Sequence, residues 1–454
     1  MNLINALNLN TSTLDVISIV CGGGKTNTLF RLTDELIAAN KRVIVTATTR
    51  LSPKQVAARP DAATVQVIDN HLPLDEISAR LDAHNHCLLI SPPDGHKQPG
   101  ISEQLVDELA SQAETLGIDT IIAEADGSRT RPVKAPAEYE PALPASTTIL
   151  MPVMGMDGIG TLIRGPQVHR PERIENILEI NNQDGLTRLT PKMAARLLVH
   201  EQGGAKSLPE TARLVPLLNK ADNAAHLAMA RLIAKELASQ GQGSLIGQVG
   251  ILKREPIIER WGPQAVVVLA AGASRRMGRS KQVEVVDGEM MVVRAVRNAL
   301  ASGADRVFVV TGAYEDKVIA ALEAIQADEP RLQFVHNTEW ETGQASSVRA
   351  AIHALGDSSI SAITFMPVDQ PFLPSSLLQR VMYEWRVGAQ LVAPTVDGKL
   401  RGAPALWDRV YWPELLTLDG DVGARPILQK YQNDVAAVSV KAELLRDIDS
   451  PEDL

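Results

Sequence analysis

Val266–Gln282 reads VVVLAAGASRRMGRSKQ, and this stretch decides how the chain is read. Its apolar run up to Leu269 predicts a buried strand. Small residues follow, Ala270, Ala271 and Gly272, then two arginines, a glycine and a lysine. A chain without bulky side chains after a strand lets backbone N–H groups approach a nucleotide's base and phosphates, while Arg276 and Lys281 supply cations for a triphosphate. Leu269, Ala270, Ala271, Gly272, Arg276 and Lys281 are therefore candidate nucleotide-binding residues, with Lys281 and Arg276 the candidate catalytic cations. The order of residues matches neither the GxxxxGK[ST] of a P-loop nor the GxGxxG of a dinucleotide fold.

Outward from this stretch the pattern is strand, helix, strand. Apolar runs recur at Ala265–Leu269, Arg306–Val310, Leu332–Val335, Ala362–Val368 and Gln390–Ala393. The earlier half has its own set: Val16–Val20, Arg42–Thr46, Cys87–Ile90, Thr120–Ala123, Thr148–Met151 and Arg213–Leu218. Helix-length segments such as Thr26–Ala39 and Ser102–Leu116 lie between them. Such alternation predicts parallel sheets with right-handed crossovers, an α/β chain of two doubly wound domains. Aromatics are only 3% of the residues, as expected for strands of small aliphatic residues buried on both faces. Ile251–Gln264 is polar, carries two prolines and has no apolar periodicity, so the boundary is placed there, giving domains 1–255 and 262–454.

The 454 residues exceed one ordinary domain of about 150 residues. Two cysteines, Cys21 and Cys87, neither build a disulfide framework nor supply a four-thiolate metal site. A net charge of -9 argues against a nucleic-acid coat. No apolar run approaches the ~20 residues of a membrane span. The N-terminus lacks a basic region followed by an apolar one, so no secretory signal is read and the cytoplasm is the expected compartment.

Two further stretches carry chemistry. Ala362–Val368 leads into Asp369-Gln370-Pro371, placing a carboxylate at the carboxyl end of a strand, where open α/β sheets bind ligands. One Asp there is a natural Mg²⁺ ligand, although it equally suits a helix cap. Val16–Thr28, VISIVCGGGKTNT, is a strand, three glycines, Lys25-Thr26 and a helix. Backbone amides of such a loop hold phosphates, with Gly23, Gly24, Lys25 and Thr26 the candidate binders, but Ile19 stands where the full P-loop spacing needs glycine. A solvated lysine on a glycine-rich helix start is the plainer alternative. Thr120–Gly127, a strand ending in acids, and Asn219-Lys220-Ala221-Asp222, of NKxD form, accompany that loop.

The segment LAAGASRRMGRSK resembles the signature of the nucleotidyltransferases that include molybdenum cofactor cytidylyltransferase and its guanylyl relative. Asn337, Trp340, Gly343, Gln344 and Ser347 resemble the family's NxxWxxGxxxS cleft segment, as do Gly420–Arg425 and the ending Asp447–Asp453 its other motifs. The resemblance implies a Rossmann-like nucleotidyltransferase domain, catalysis by Lys281, Arg276 and Asp369, and Mg²⁺ on Asp369 with Asp447 or Asp449. Alternation lets only one of the last two face the metal. Ala271, where the guanylyl branch has glycine, implies CTP as substrate and molybdopterin as acceptor. Two positions depart from the family: Ala403, where Asn or His is expected, and Val283-Glu284-Val285 with the turn Asp287-Gly288. A second resemblance, over about Val16–Gly250, is to accessory proteins of selenium-dependent molybdenum hydroxylases. It rests on GGGKTNT, Thr46–Arg50, Glu124–Arg129, Pro132, Lys134, Ala135, Pro136, Glu140, Pro141 and Val168–Glu172. It implies a P-loop-like domain binding ATP or GTP and a client molybdenum hydroxylase as partner. Cys21 replaces the usual glycine before the loop, as a small filler residue or, less simply, a reactive thiol; His169 either pairs within a polar loop or catalyses. The alternatives are a non-catalytic cofactor chaperone, or guanylyl or sugar-phosphate nucleotidyl transfer.

Overall fold

The computed structural model describes residues 1–9, 13–51, 56, 64–95, 98–250, 255–356 and 358–453. The chain divides into two compact units, Met1–Leu237 with Gly243–Trp261 and Ala238–Gln242 with Gly262–Leu454.

The first unit is built on strands β1 (Asp15–Cys21), β2 (Val43–Ala47), β3 (Thr64–Gln66), β4 (His86–Ile90), β5 (Thr120–Glu124), β6 (Ile149–Gly155), β7 (Leu217–Asn219), β8 (Ser244–Gly247) and β9 (Ile257–Trp261). They lie in the order β9-β8-β7-β6-β1-β5-β2-β4-β3, with Arg213–Leu214 also on β6. Pairing is parallel except at the edge, where β9 runs antiparallel to β8. β1, β2, β5 and β6 are buried at every position because packed side chains cover both faces. Ile17 and Ile19 pack with Leu29, Leu32 and Leu36 of the helix Lys25–Ala38, while Val16 and Ile44 pack on the opposite face with Leu105, Val106 and Leu109. The parallel register brings the carboxyl ends of β1, β5 and β6 together, and with them the glycine-rich loop and the acids Glu124 and Asp126.

The second unit contains β10 (Gln264–Leu269), β11 (Arg306–Thr311), β12 (Leu332–His336), β13 (Ala362–Pro367), β14 (Leu391–Val396), β15 (Ala405–Asp408) and β16 (Val435–Ser439). Their order is β12-β11-β10-β13-β15-β14, with β16 parallel to β14. Here the expectation of purely parallel sheets needs correction, because β15 is antiparallel to both neighbours. The link Asp397–Pro404 is too short for a crossover helix, so the chain returns antiparallel. Side chains alternate as the strand pleat requires: Val266 and Val268 enter one core, Ala265 and Val267 the other. Leu269 pairs with Pro367, so the loop after β10 and the Asp369 segment after β13 emerge side by side.

Each apolar run named from the sequence coincides with a strand, four of them (at Arg42, Thr148, Val368 and Gln390) overrunning it by one residue, and Arg213–Leu218 is broken into Arg213–Leu214 and Leu217–Asn219. The stretch assigned to the boundary contains β9, which closes the first sheet. In the second core Trp385 donates its indole N–H to the buried Asp408 carboxylate at 2.7 Å. Asp408→Ala leaves that donor unsatisfied and should destabilise the second unit by about 2 kcal/mol in urea unfolding, whereas Asp408→Asn, which keeps an acceptor, should cost less.

Candidate functional site

The loop after β10 is held open from below by a glutamine. Gln282 is fully buried and donates to the carbonyls of Ala270 at 3.0 Å and Gly272 at 2.7 Å. Its own oxygen accepts from Ser274 and Ser280. Ser274, with φ 51°, accepts from the Lys281 backbone N–H at 3.2 Å, so the loop closes on itself. Ala270 N donates to Val310 O, and Ala313 N to Ala271 O, which fixes the small-residue turn to β11 and the residues after it. Downstream, the departure at Val283–Gly288 forms a hairpin, Val285–Val286 against Glu289–Met290, turned by Asp287 (φ 50°) and Gly288 (φ 82°).

Above this loop lies a cavity of about 430 Å³ whose lining includes Leu269, Ala271, Gly272, Lys281, Trp340 and Asp369. Lys281 Nζ sits 2.6 Å from Asp369 Oδ2 and 3.0 Å from Asp449 Oδ1. Burial disfavours the ammonium, yet the two carboxylates, Asp369 above all, hold its pKa above the ordinary value. Ile448 is buried and its N–H donates to Asp369 O at 2.9 Å, which pins the C-terminal segment to the site. The extended backbone then puts Asp449 toward Lys281 and Asp447 toward Gln370, whose amide donates to it at 3.0 Å. Burial, with Asp369 and Asp449 nearby, raises the Asp447 pKa. Arg276 reaches Asp449 Oδ2 at 3.2 Å from an exposed position outside the cavity lining.

The opposite wall is the start of the helix Gln344–Leu355. Gly343 has φ 113°, and a side chain there would collide with the backbone of Gly420 and Asp421, so only glycine lets those segments touch. Asn337 is buried and donates to Ser346 and Ser347, locking the helix to β12. Ala403 is half-buried beside the segment leading to β15 and is absent from the cavity lining. Among the described residues no group of three His, Cys, Asp or Glu side chains converges as a metal cage, so a metal here would rest on two carboxylates and its substrate's own oxygens.

The first unit gathers Lys25, Glu124 and Asp126 where β1 and β5 end. Far from solvated, Lys25 is 3% exposed; it donates to Cys21 O at 2.7 Å and lies 3.3 Å from Asp126 and 3.5 Å from Glu124. Thr26 donates to Glu124 at 2.7 Å. The loop amides are engaged too: Cys21 N with Asp126, Gly22 N with Val153 O and Gly23 N with Arg131 O. Gly24, φ 122°, caps the helix. Asn219 uses both polar atoms internally, donating to Gly23 O and accepting from Val249 N. Its neighbour Lys220 pairs with Asp157 at 2.7 Å.

A chain of alternating charge runs on from there. Lys134, fully buried, bridges Asp126 at 2.7 Å and Glu140 at 2.8 Å, and Arg170 grips Glu140 at 2.6 Å. This chain orders the irregular, proline-rich stretch from Asp126 to Pro144. Burial, helped by the Asp126 charge, pushes the Cys21 thiol up to about 12, so it is a neutral filler. Burial and the surrounding cations, Arg170 and Lys134 foremost, hold His169 down at about 4.

Comparison with known proteins accords with this division. Residues 266–435 match the MobA-like NTP transferase domain family, and residues 17–172 match the YqeC protein family. The chain is 32% identical over 209 residues, 45% of its length and 75% of the relative's, to "Uncharacterized protein YqeC" of Escherichia coli (strain K12). It joins a YqeC domain to a MobA-like NTP transferase domain. The chain is similar to "Purine catabolism protein PucB" of Bacillus subtilis (strain 168), 30% identical over 199 residues, 41% of this chain and 92% of that one. It is also similar to "Probable molybdenum cofactor guanylyltransferase" of Opitutus terrae, 31% identical over 134 residues, 30% of this chain and 61% of that one. The second unit is thus a nucleotidyltransferase of the MobA-like type.

The missed residue of greatest structural weight is Gln282, because no spacing distinguishes a buried glutamine from a surface one. In the YqeC domain the ion-pair chain makes acid stability a readout. Burial opposes the Glu140 carboxylate, but Arg170 and Lys134 overcome it and lower its pKa to about 2. Above pH 4.5 the Glu140 contribution is complete, and it is lost as pH falls toward 2. His169 adds an earlier loss, between pH 6.5 and about 4, because only the unfolded chain takes up that proton. Stability measured against pH should lose the upper step in His169→Gln and the lower one in Glu140→Gln. Lys134→Met, which removes the buried cation between two carboxylates and leaves Asp126 to Lys25 and Glu140 to Arg170, should destabilise the YqeC domain by about 3 kcal/mol.

Proposed function

We propose that the transferase domain transfers CMP from CTP to molybdopterin with release of pyrophosphate. The observation that carries this reading is Lys281, a part-buried cation shared by Asp369 and Asp449 at the edge of a cavity lined by Leu269, Ala271 and Gly272. In this reading Leu269, Ala270, Ala271 and Gly272 seat the nucleotide, Lys281 and Arg276 neutralise the phosphates, and a phosphate of the acceptor attacks the α-phosphorus as pyrophosphate leaves. Mg²⁺ fits the donor set, since Asp369 and Asp449 already converge on a cation while Asp447 turns to Gln370. When bound it supplies charge neutralisation at the phosphates. Ala271 supports CTP over GTP: its methyl narrows the cavity wall where a glycine would leave room for a purine.

The YqeC domain, residues 1–255 in this assignment with the transferase at 262–454, serves as the accessory half. Gly23, Gly24, Lys25 and Thr26 bind ATP or GTP there, and the product is delivered to a client molybdenum hydroxylase. The buried Lys25 and the acids beside it support an electrostatically tuned site, and nucleotide binding requires Lys25 to exchange its carboxylate contacts for phosphate.

Asp369→Ala should reduce pyrophosphate release at least about a thousandfold while circular dichroism and the unfolding midpoint stay close to the parent's; retained turnover removes Asp369 from the reaction. Lys25→Ala should leave pyrophosphate release with CTP unchanged and weaken binding of ATP or GTP by the YqeC domain. A loss of cytidylyl transfer in that variant would instead make the two activities interdependent.

A further inference from the structure

Among the described residues the His169 side chain makes no hydrogen bond or ion pair, although only 7% of the residue is exposed. The short strands Val133–Lys134 and Val168–His169 pair in parallel, with His169 opposite Lys134. Val133 and Val168 enter the core, so alternation turns His169 and Lys134 to the other face, where Lys134 meets Asp126 and Glu140. A buried polar ring normally finds a partner within the protein. The charges around this one do not cancel either. Lys25, Lys134 and Arg170 are matched by Glu124, Asp126 and Glu140. Arg129 and Arg131 have no such match: Arg131 donates to Val168 O at 2.6 Å, next to the His169 backbone, and Arg129 has no side-chain partner among the described residues. Burial, and then the cations Arg170, Lys134, Arg129 and Arg131, keep the imidazole neutral.

We propose that Arg129, Arg131 and His169 form a second ligand site of the YqeC domain, which takes the dianionic phosphate group of a small phosphate monoester. Two unmatched guanidinium charges balance a dianion, and their planar forks suit its oxygens. The neutral imidazole offers one N–H; with the dianion beside it the ring gains a proton and donates from both nitrogens. Gly23 N donates to Arg131 O, so the site lies against the glycine-rich loop without using Gly24, Lys25 or Thr26. A side chain added at Gly127, two residues before Arg129, would meet no protein atom, which leaves room on that side. The assignment goes beyond the ATP or GTP reading, because it gives the domain a ligand other than its nucleotide.

The test follows the ring C–H signals of the nine histidines by NMR in the full chain, with His169 assigned by its loss in His169→Gln. Sulfate is the first probe, since it stays a dianion throughout the titration. It should shift the His169 signal and raise the midpoint of its titration from about 4 by at least about one pH unit, a tenfold gain in proton affinity. Arg129→Ala and Arg131→Ala should each weaken sulfate about 10-fold to 100-fold. Arg129 is exposed, so Arg129→Ala should keep the parent's unfolding midpoint. Glycerol 3-phosphate should bind at least as tightly as inorganic phosphate, and saturating ATP should leave the response in place. A His169 signal that no dianion moves, or that sodium chloride at equal ionic strength moves as far, overturns the site. Binding of inorganic phosphate with refusal of the ester overturns the ligand class. Displacement of sulfate by ATP makes this the seat of the nucleotide's own phosphate and overturns a second site, a result distinct from a chain that binds sulfate but no ATP, in which only the nucleotide reading fails.

Discussion

One ammonium group organises the transferase site. Lys281 takes Asp369 from 88 positions away and Asp449 from 168 positions away, so three segments meet at one charge. Each carboxylate on its own would repel the other at this range; the lysine between them makes their approach favourable. The next residue, Gln282, ties the same point to the carbonyls of Ala270 and Gly272. Two consecutive side chains therefore fix both the cation and the small-residue turn, and the cavity takes its shape from the space they leave.

The YqeC domain uses the same elements with a different outcome. Lys25 and Lys134 are also held by carboxylates where strands end, but there the chain of charges from Lys25 through Asp126, Lys134 and Glu140 to Arg170 is closed and almost dry. In a medium of low dielectric such a network is costly to break at any link, which favours one arrangement of the irregular Asp126–Pro144 stretch over its alternatives. Cys21 sits within it at φ 72°, a conformation glycine adopts without strain. Its presence there shows how firmly the surrounding hydrogen bonds hold the loop.

The strands were readable because the central ones are buried on both faces and carry unbroken aliphatic runs, as in Val266–Leu269 and Thr120–Ala123. Less legible were Ser244–Gly247, Ile257–Trp261 and Ala405–Asp408, short strands near or at sheet edges whose sequences mix glycine, charge and aromatic residues. Their existence depends on neighbours already in place. The same distinction applies to the site: the small-residue turn, Lys281 and Asp369 stand out by type and position. That Asp449 faces Lys281 while Asp447 faces Gln370 follows from the burial of Ile448, which sets the direction of alternation. That Lys25 is buried, that Asn219 is tied to Gly23 and Val249, and that His169 has no side-chain partner among the described residues are facts of tertiary geometry to which residue order is blind.

Cytidylyl transfer at the cavity around Lys281 is what we propose. The most direct measurement is pyrophosphate release by the full chain with Mg²⁺ and molybdenum-loaded molybdopterin, comparing CTP with GTP and ATP. Turnover with CTP should lie well above that with either purine nucleotide. Turnover selective for GTP, or none with any nucleotide while molybdopterin binds, would contradict it.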